Sequence, residues 1–272
     1  MTGRQPATVY THGYQEAVLR SHRSRTAADS AAYLLPELRP GQALLDIGCG
    51  PGTITADLAE LVGPGGRVVA VDTSGEVLEQ AAAYVAGRGL SNVVFEIADV
   101  HELPHQEGEF DVVHAHQVLQ HVADPVAALR EMRRVAAPGG VVAARDVDYA
   151  SMTWFPEAPA LDRWLELYER IARANGGEPD AGRRLLSWAR AAGFTDIAAT
   201  ATTWTYATPE QRAWWGGMWA DRVTGSAIGR TAVERGFADR AELARIAAGW
   251  QEWSAAGDGW FSMLHGEILA RG

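Results

Sequence analysis

Between residues 40 and 146, short apolar runs alternate with stretches of helical periodicity. That rhythm constrains the fold more than any other feature of the chain. The runs span residues 43–47, 67–71, 93–97, 110–115 and 141–145. Each is continuous or nearly so, as a strand covered on both faces must be. Residues 53–61, 75–86 and 125–135 lie between them with a helical period. Asp124 followed by Pro125 is an N-cap with proline at the first helical position. Strand and helix alternating in this way predict a parallel sheet with helices on both sides.

Past residue 146 the rhythm changes. Residues 157–175 place Leu161, Trp164, Leu165 and Tyr168 on one helical face, and residues 181–192 form a helix that Gly193 ends. Residues 197–206 read as a strand. Thr208-Pro209-Glu210-Gln211 is a capping box. Asp239 to Glu242 looks like another start, leading into a stripe of Leu243, Ile246, Trp250 and Trp253. Gly257-Asp258-Gly259 turns the chain into a last strand at 260–269. Ahead of the first strand, residues 26–35 suggest a helix capped by Thr26 that lies over the opening of the sheet. No proline- or serine-rich linker divides the chain, so 1–272 reads as one domain.

The sharpest local signal is Leu44-Leu45-Asp46-Ile47-Gly48-Cys49-Gly50-Pro51-Gly52-Thr53, where a strand ends and a helix begins. Glycine permits the unusual backbone angles of such a turn and the close approach of a ligand. The helix N-terminus behind it offers free N–H groups to a carboxylate or phosphate. The spacing is G-x-G-x-G, not the dinucleotide G-x-G-x-x-G, and Asp46 stands two residues ahead of it. An acid there disfavours a pyrophosphate and suits an amino group. Asp72 closes the second strand, where an acid accepts hydrogen bonds from ribose hydroxyls. Asp99-Val100 follows the third, where an acid and an apolar residue can receive an exocyclic amine and pack a purine.

Composition removes several alternatives. The chain has no lysine, so its 24 basic residues are all arginine. A Schiff-base pyridoxal enzyme and an ordinary P-loop NTPase are thereby excluded. A net charge of −10 disfavours a nonspecific nucleic-acid surface. The single cysteine, Cys49, rules out an intrachain disulfide and reads as filler of a small buried slot. The first residues show no apolar signal segment, and no apolar run approaches the roughly 18 residues of a membrane span. A soluble cytoplasmic protein is expected. All 10 tryptophans lie between Trp154 and Trp260. Trp164, Trp250 and Trp253 sit on apolar stripes and suit a core, whereas Trp154, Trp214, Trp215 and Trp219 suit a pocket wall.

Taken in order, Asp46-Ile-Gly48-Cys-Gly50-Pro-Gly52, Asp72, Asp99, Phe110-Asp111-Val112-Val113 and Pro138-Gly139-Gly140 resemble the class I S-adenosylmethionine-dependent methyltransferases. Within that family they are similar to the ubiquinone and menaquinone biosynthesis type and its many small-molecule relatives. The resemblance covers residues 40–146. It implies a Rossmann-like α/β fold of seven strands in order 3-2-1-4-5-7-6. Strand 7 would be antiparallel, helices would flank both faces, and a helical cover would lie over the active site. Residues 36–146 would then form the cofactor core and 147–272 the acceptor-side helices and last two strands.

The same resemblance implies roles for particular residues. Gly48 and Gly50 would hug the methionyl part of S-adenosyl-L-methionine, with Asp46 near its amino group through water or backbone. Asp72 would hold the ribose and Thr73 would flank the adenine. Asp99 would receive the adenine amine, with Val100 against the ring. His116 and Gln117 would line the methyl-transfer end. Tyr14 and Arg25 would belong to a segment covering the cofactor. An aromatic-rich roof favours a small, mostly apolar acceptor methylated on oxygen, nitrogen or carbon, with no nucleic-acid or membrane partner.

If a base is needed, His116 and His121 are suited, since imidazole titrates near neutrality, with Asp148 and Tyr149 in reserve. His116 and His121 could equally serve positioning or structure. His114 is expected to pack inside the sheet, and the three histidines 114, 116 and 121 do not make a metal set. Three other readings stay open. They are a noncatalytic S-adenosylmethionine-binding protein, a nicotinamide oxidoreductase, and a different use of the same sulfonium.

Overall fold

The computed structural model describes Thr11 and residues 21–272. Its scaffold is a seven-stranded sheet in the order β3-β2-β1-β4-β5-β7-β6. The strands are β1 (Ala43–Ile47), β2 (Arg67–Asp72), β3 (Val93–Ile97), β4 (Phe110–His116), β5 (Ala136–Phe155), β6 (Asp196–Tyr206) and β7 (Trp260–Arg271). The first five pair in parallel, and β7 runs antiparallel between β5 and β6. Order and direction match what the family resemblance implied. The strand order reverses between β1 and β4, which opens a crevice at their carboxyl ends.

Local chemistry explains the helices. Thr26 caps the single turn α1 (Ala27–Ser30) in a reciprocal box with Asp29. Helix α2 (Thr53–Val62) starts from the glycine loop. Ser74 caps α3 (Gly75–Gly87) and Asp124 caps α4 (Pro125–Val135). Beyond β5 come α5 (Pro159–Ala174), α6 (Leu185–Ala191), α7 (Pro209–Gly225), α8 (Ala227–Glu234) and α9 (Arg240–Ala255). Thr208 and Gln211 form the predicted capping box of α7, and Asp239 caps α9.

Several boundaries differ from expectation, each for a local reason. The helix expected at 26–35 is one turn followed by a 3₁₀ turn at Leu35–Glu37, where Pro36 holds an early position. The helix expected at 181–192 begins as a 3₁₀ turn, Gly182–Arg184. The fifth strand extends far past 141–145, because β7 supplies antiparallel partners from Val142 opposite Ala270 to Phe155 opposite Trp260. The ladder slips once, between Asp148 and Thr153.

Two cores flank the central strands, one with α4 and α6 and the other with α1 and α2. A third core, dominated by indoles, joins α5, α7 and α9 to the upper part of β5 and β7. Trp164 stands edge-on to Trp219 at 4.5 Å and to Trp250 at 4.9 Å between ring centroids. Edge-to-face packing of this kind favours the ring quadrupoles. Trp164, Trp250 and Trp253 are core, as the stripes predicted. Among the described residues, no helix is long and apolar enough to cross a membrane.

Candidate active site

One cavity of about 630 Å³ occupies the crevice. Its floor comes from the ends of the parallel strands. Gly48, Gly50 and Asp46 line it beside β1, Asp72 and Thr73 beside β2, and Asp99 and Val100 beside β3. His116 and Gln117 line it at the end of β4, and His121 follows in the next turn. Arg25 enters from the segment before α1. Tyr14 lies outside the described residues.

The glycine loop is held from behind. The Gly48 and Cys49 N–H groups both donate to the Val71 carbonyl, at 2.8 and 3.1 Å. Gly48 has φ +65°, and a Cβ there would sit 2.5 Å from Val118 Cγ2. Gly50 has φ +54°, and a Cβ there would meet nothing within 4 Å. Gly50 therefore presents bare backbone to an open cradle that a side chain would fill. Its N–H donates to Asp72 Oδ2 at 3.2 Å, and the Ser74 N–H donates to Oδ1 at 3.1 Å. Asp99 Oδ1 accepts from the His101 N–H at 2.9 Å and faces His101 Nδ1 at 2.7 Å. Burial works to raise the Asp99 carboxyl, but the His101 hydrogen bonds outweigh it and hold it below the ordinary value.

Asp46 is engaged inside the protein. Its Oδ2 accepts from Thr55 Oγ1 at 2.6 Å, and its Oδ1 lies 2.8 Å from His114 Nδ1. His114 is fully buried in the sheet, as expected, and is there the partner of this acid. The carboxylate consequently orients the loop from below.

His116 is buried, and neither ring nitrogen has a hydrogen-bond partner. Burial, then the charges of Arg25 and Arg145, lower its pKa well below the usual imidazole value. His121 is lowered to about 3 by burial and by Arg25. Both rings are therefore neutral at pH 7 and able to accept a hydrogen bond. Gln117 has φ +55°, the one positive value outside glycine among the described residues. Its N–H donates to the Arg145 carbonyl at 2.7 Å, and its side chain takes a hydrogen bond from Arg25 Nη2 at 2.8 Å. The amide nitrogen, at 3.0 Å, then donates to His265 Nε2, which leaves the His265 proton on Nδ1.

The far wall is aromatic. Trp214, Trp215 and Trp219 of α7 line the cavity as expected. Trp154 does not, because it stacks on Phe261 across the β5–β7 ladder, at 5.9 Å and 9°. In its place stand Trp204 and Tyr206 of β6, which the sequence reading missed. A signal was available, since Thr203-Trp204-Thr205-Tyr206 puts both rings on one face of a strand. The reserve residues separate for the same geometric reason. Tyr149 lines the cavity, whereas neighbouring Asp148 is held by Arg183 Nε at 2.5 Å and Nη2 at 2.6 Å.

A doubly wound sheet with an antiparallel seventh strand and this glycine–acid cradle defines the class I methyltransferase architecture. Comparisons with known proteins agree. Residues 38–198 match the family described as "Methyltransferase domain". An uncharacterized methyltransferase of Schizosaccharomyces pombe is 33% identical over 268 residues, 96% of this chain and 95% of that protein. Demethylmenaquinone methyltransferase of Lactococcus lactis is 35% identical over 128 residues, 47% of this chain and 48% of its own. The YcgJ protein of Bacillus subtilis superposes with a TM-score of 0.58 at 19% identity, over 90% of this chain and 98% of its own, a likeness of fold. The chain belongs to the class I S-adenosylmethionine-dependent methyltransferase family.

Proposed function

We propose that the protein, acting as one domain over residues 1–272, methylates an oxygen, nitrogen or carbon of a small planar acceptor, with no nucleic-acid partner. The observation that carries this reading is the continuity of a single cavity from the Gly48–Gly50 cradle to the rings of Trp204, Tyr206 and Trp215. The open face at Gly50, with Asp72 and Asp99 on adjacent strand ends, fits the cofactor. In this reading Asp72 takes its ribose, and Thr73, Asp99 and Val100 take its adenine. Gly48, Gly50, Arg25 and Gln117 enclose its amino-acid end, above the Asp46 support.

Bound S-adenosylmethionine supplies an electrophilic methyl group on a sulfonium. The chain has to orient the acceptor, exclude water and deal with any acceptor proton. The aromatic wall orients and excludes water. His116 stands at the junction of the two halves with both nitrogens unoccupied by protein partners, so it is the first candidate to take a proton. His121 is the second.

Isothermal titration with S-adenosylhomocysteine tests the reading. Binding in the micromolar range is expected, and Asp72→Ala should weaken it at least tenfold, about 1.4 kcal/mol. Absence of binding at several hundred micromolar, above ordinary enzyme constants, would overturn it. Formation of S-adenosylhomocysteine from S-adenosylmethionine across a panel of phenols, quinols and aryl amines separates catalysis from cofactor binding alone.

A further inference from the structure

Two holds on Arg25 trace back to one buried ring. Arg25 Nη2 donates to the Gln117 side-chain oxygen at 2.8 Å, and its guanidinium lies 5.5 Å from the Trp204 ring centre. His265 stands behind both. It is fully buried on β7, opposite Val147 of β5 and Thr202 of β6. Its Nε2 faces the Gln117 side-chain nitrogen at 3.0 Å, and its ring centre lies 4.4 Å from that of Trp204. Gln117 and Trp204 line the cavity, and His265 is not among the described residues that do. The proton inventory gives this chain a direction. A guanidinium only donates, so the Gln117 oxygen must face Arg25 and its NH2 must face His265. His265 Nε2 is then bare and accepts. Nδ1 has no partner among the described residues, so the bond to Gln117 dictates the tautomer. Burial, then the charges of Arg145 and Arg25, lower the pKa of His265 well below the usual imidazole value, and the ring is neutral. Gln117 has little freedom to answer otherwise, since its left-handed backbone is tied to the Arg145 carbonyl at 2.7 Å.

Arg25 belongs to a segment laid along the cavity, which Ser21, His22, Ser24 and Asp29 also line. The flanks of that segment are tied down. Arg222 of α7 donates to the Ser21 hydroxyl, Thr53 Oγ1 donates to the His22 carbonyl at 3.2 Å, and Trp204 Nε1 donates to the Asp29 carbonyl at 3.1 Å. The Gln117–Arg25 bond holds the middle. We propose that His265 is a positioning residue for cofactor binding. By accepting from Gln117 and backing Trp204, it keeps Arg25, and with it residues 21–30, closed over the amino-acid end of S-adenosylmethionine. This inference rests on the cofactor placement proposed above and adds to it a residue that does not touch the ligand. Without an acceptor at this position the Gln117 NH2 is stranded, a cost the amide escapes only by turning its oxygen away from Arg25. The effect falls on release more than on capture, because the cover has to open before the ligand leaves.

Heteronuclear NMR of the full-length, histidine-labelled protein reads the tautomer directly. His265 should carry its proton on Nδ1 in the ligand-free wild type. In Gln117→Glu, where a carboxylate offers no donor, the ring should present a proton at Nε2. A proton on Nε2 in the wild type, or a bare Nε2 in Gln117→Glu, overturns the proposal. Calorimetry and stopped-flow kinetics with S-adenosylhomocysteine read the consequence. His265→Phe keeps a ring against Trp204 and removes the acceptor, so binding should weaken at least about fivefold, through faster release. His265→Gln, whose amide oxygen can stand where Nε2 does, should bind as wild type. In a Gln117→Ala background, His265→Phe should cost nothing further. Equal losses in the Phe and Gln variants, or a full second loss in the Gln117→Ala background, overturns the proposal. If His265→Phe fails to fold, the two tautomer measurements decide alone. Failure of S-adenosylhomocysteine to bind the wild type defeats the cofactor placement and this inference with it, whereas binding without these differences defeats the inference alone.

Discussion

His114 Nδ1 lies 2.8 Å from Asp46 Oδ1, on paired positions of β4 and β1 and sealed from solvent. With Thr55 on the second oxygen, one carboxylate ties two central strands to the helix that follows the glycine loop. Breaking a buried pair from one side leaves the other partner uncompensated, at a cost of about 3–5 kcal/mol. Asp46→Ala should therefore lower the urea unfolding midpoint of the ligand-free protein severely, and Asp46→Asn less so. A variant with wild-type stability but lost cofactor affinity would show that the acid serves the ligand directly.

Gly48 and Gly50 share a left-handed backbone and should respond differently to alanine. At Gly48 the new methyl meets Val118 at 2.5 Å, so stability falls, and Val118→Ala in the same chain recovers part of it. At Gly50 there is no clash. The cost there is the backbone penalty of about 1–2 kcal/mol. Gly50→Ala should instead lose S-adenosylhomocysteine affinity, by at least about tenfold. Melting curves and calorimetry on both variants separate the two effects.

Stability should depend on pH through two opposing groups. His121 is lowered to about 3, so between there and 6.5 the unfolded chain binds the proton that the folded one refuses. Stability from this group is complete above 6.5 and lost on acidification, at about 1.4 kcal/mol per pH unit. His22, His116 and His265 shift in the same direction. Burial raises Asp146 to about 7. Its contribution is complete below 3.8 and lost as pH climbs through 7. Asp146→Asn should consequently stabilise the protein more at pH 8 than at pH 5. Urea titrations at both values check this, and an equal effect at both would refute the assignment.

Beneath the cavity, Arg145 Nε meets Glu267 Oε1 at 3.1 Å, with Thr200 and Thr202 also on the carboxylate. Both charged side chains are almost wholly buried. Glu267→Leu alone should cost about 3–5 kcal/mol. Arg145→Met with Glu267→Leu should recover most of that loss. Additive losses in the double-variant cycle would mean the two residues act separately.

The glycine–acid side of the cavity was legible because its residues are local to strand ends. Each of Gly48, Gly50, Asp72 and Asp99 sits within a few residues of a strand end that hydrophobic patterning locates. The aromatic side depends on register and direction, which no short motif carries. The length of β5 is set by partners more than a hundred residues away on β7, so a reading of 141–145 alone stopped early. Trp154 was assigned to the wall because it is aromatic and near the right strand, but the β5–β7 pairing turns it onto Phe261. Trp204 and Arg222 were passed over, since neither a lone indole on a strand nor an arginine on a mixed helix stands out before the sheet is assembled.

The position of β7 has a further consequence for how the chain comes off the ribosome. Its residues follow those of every other described strand in the chain, yet it is the middle element of the β5-β7-β6 edge, and β6 pairs with no other described strand. The parallel strands and their glycine loop can assemble while synthesis continues. The wall that carries Trp204 and Tyr206 has no place to dock until β7 is threaded between two strands already present. Contacts of such long sequence separation form slowly. A chain stalled before Trp260 would therefore hold a formed glycine loop without a formed aromatic wall, and would expose the edges of β5 and β6 to any neighbouring chain.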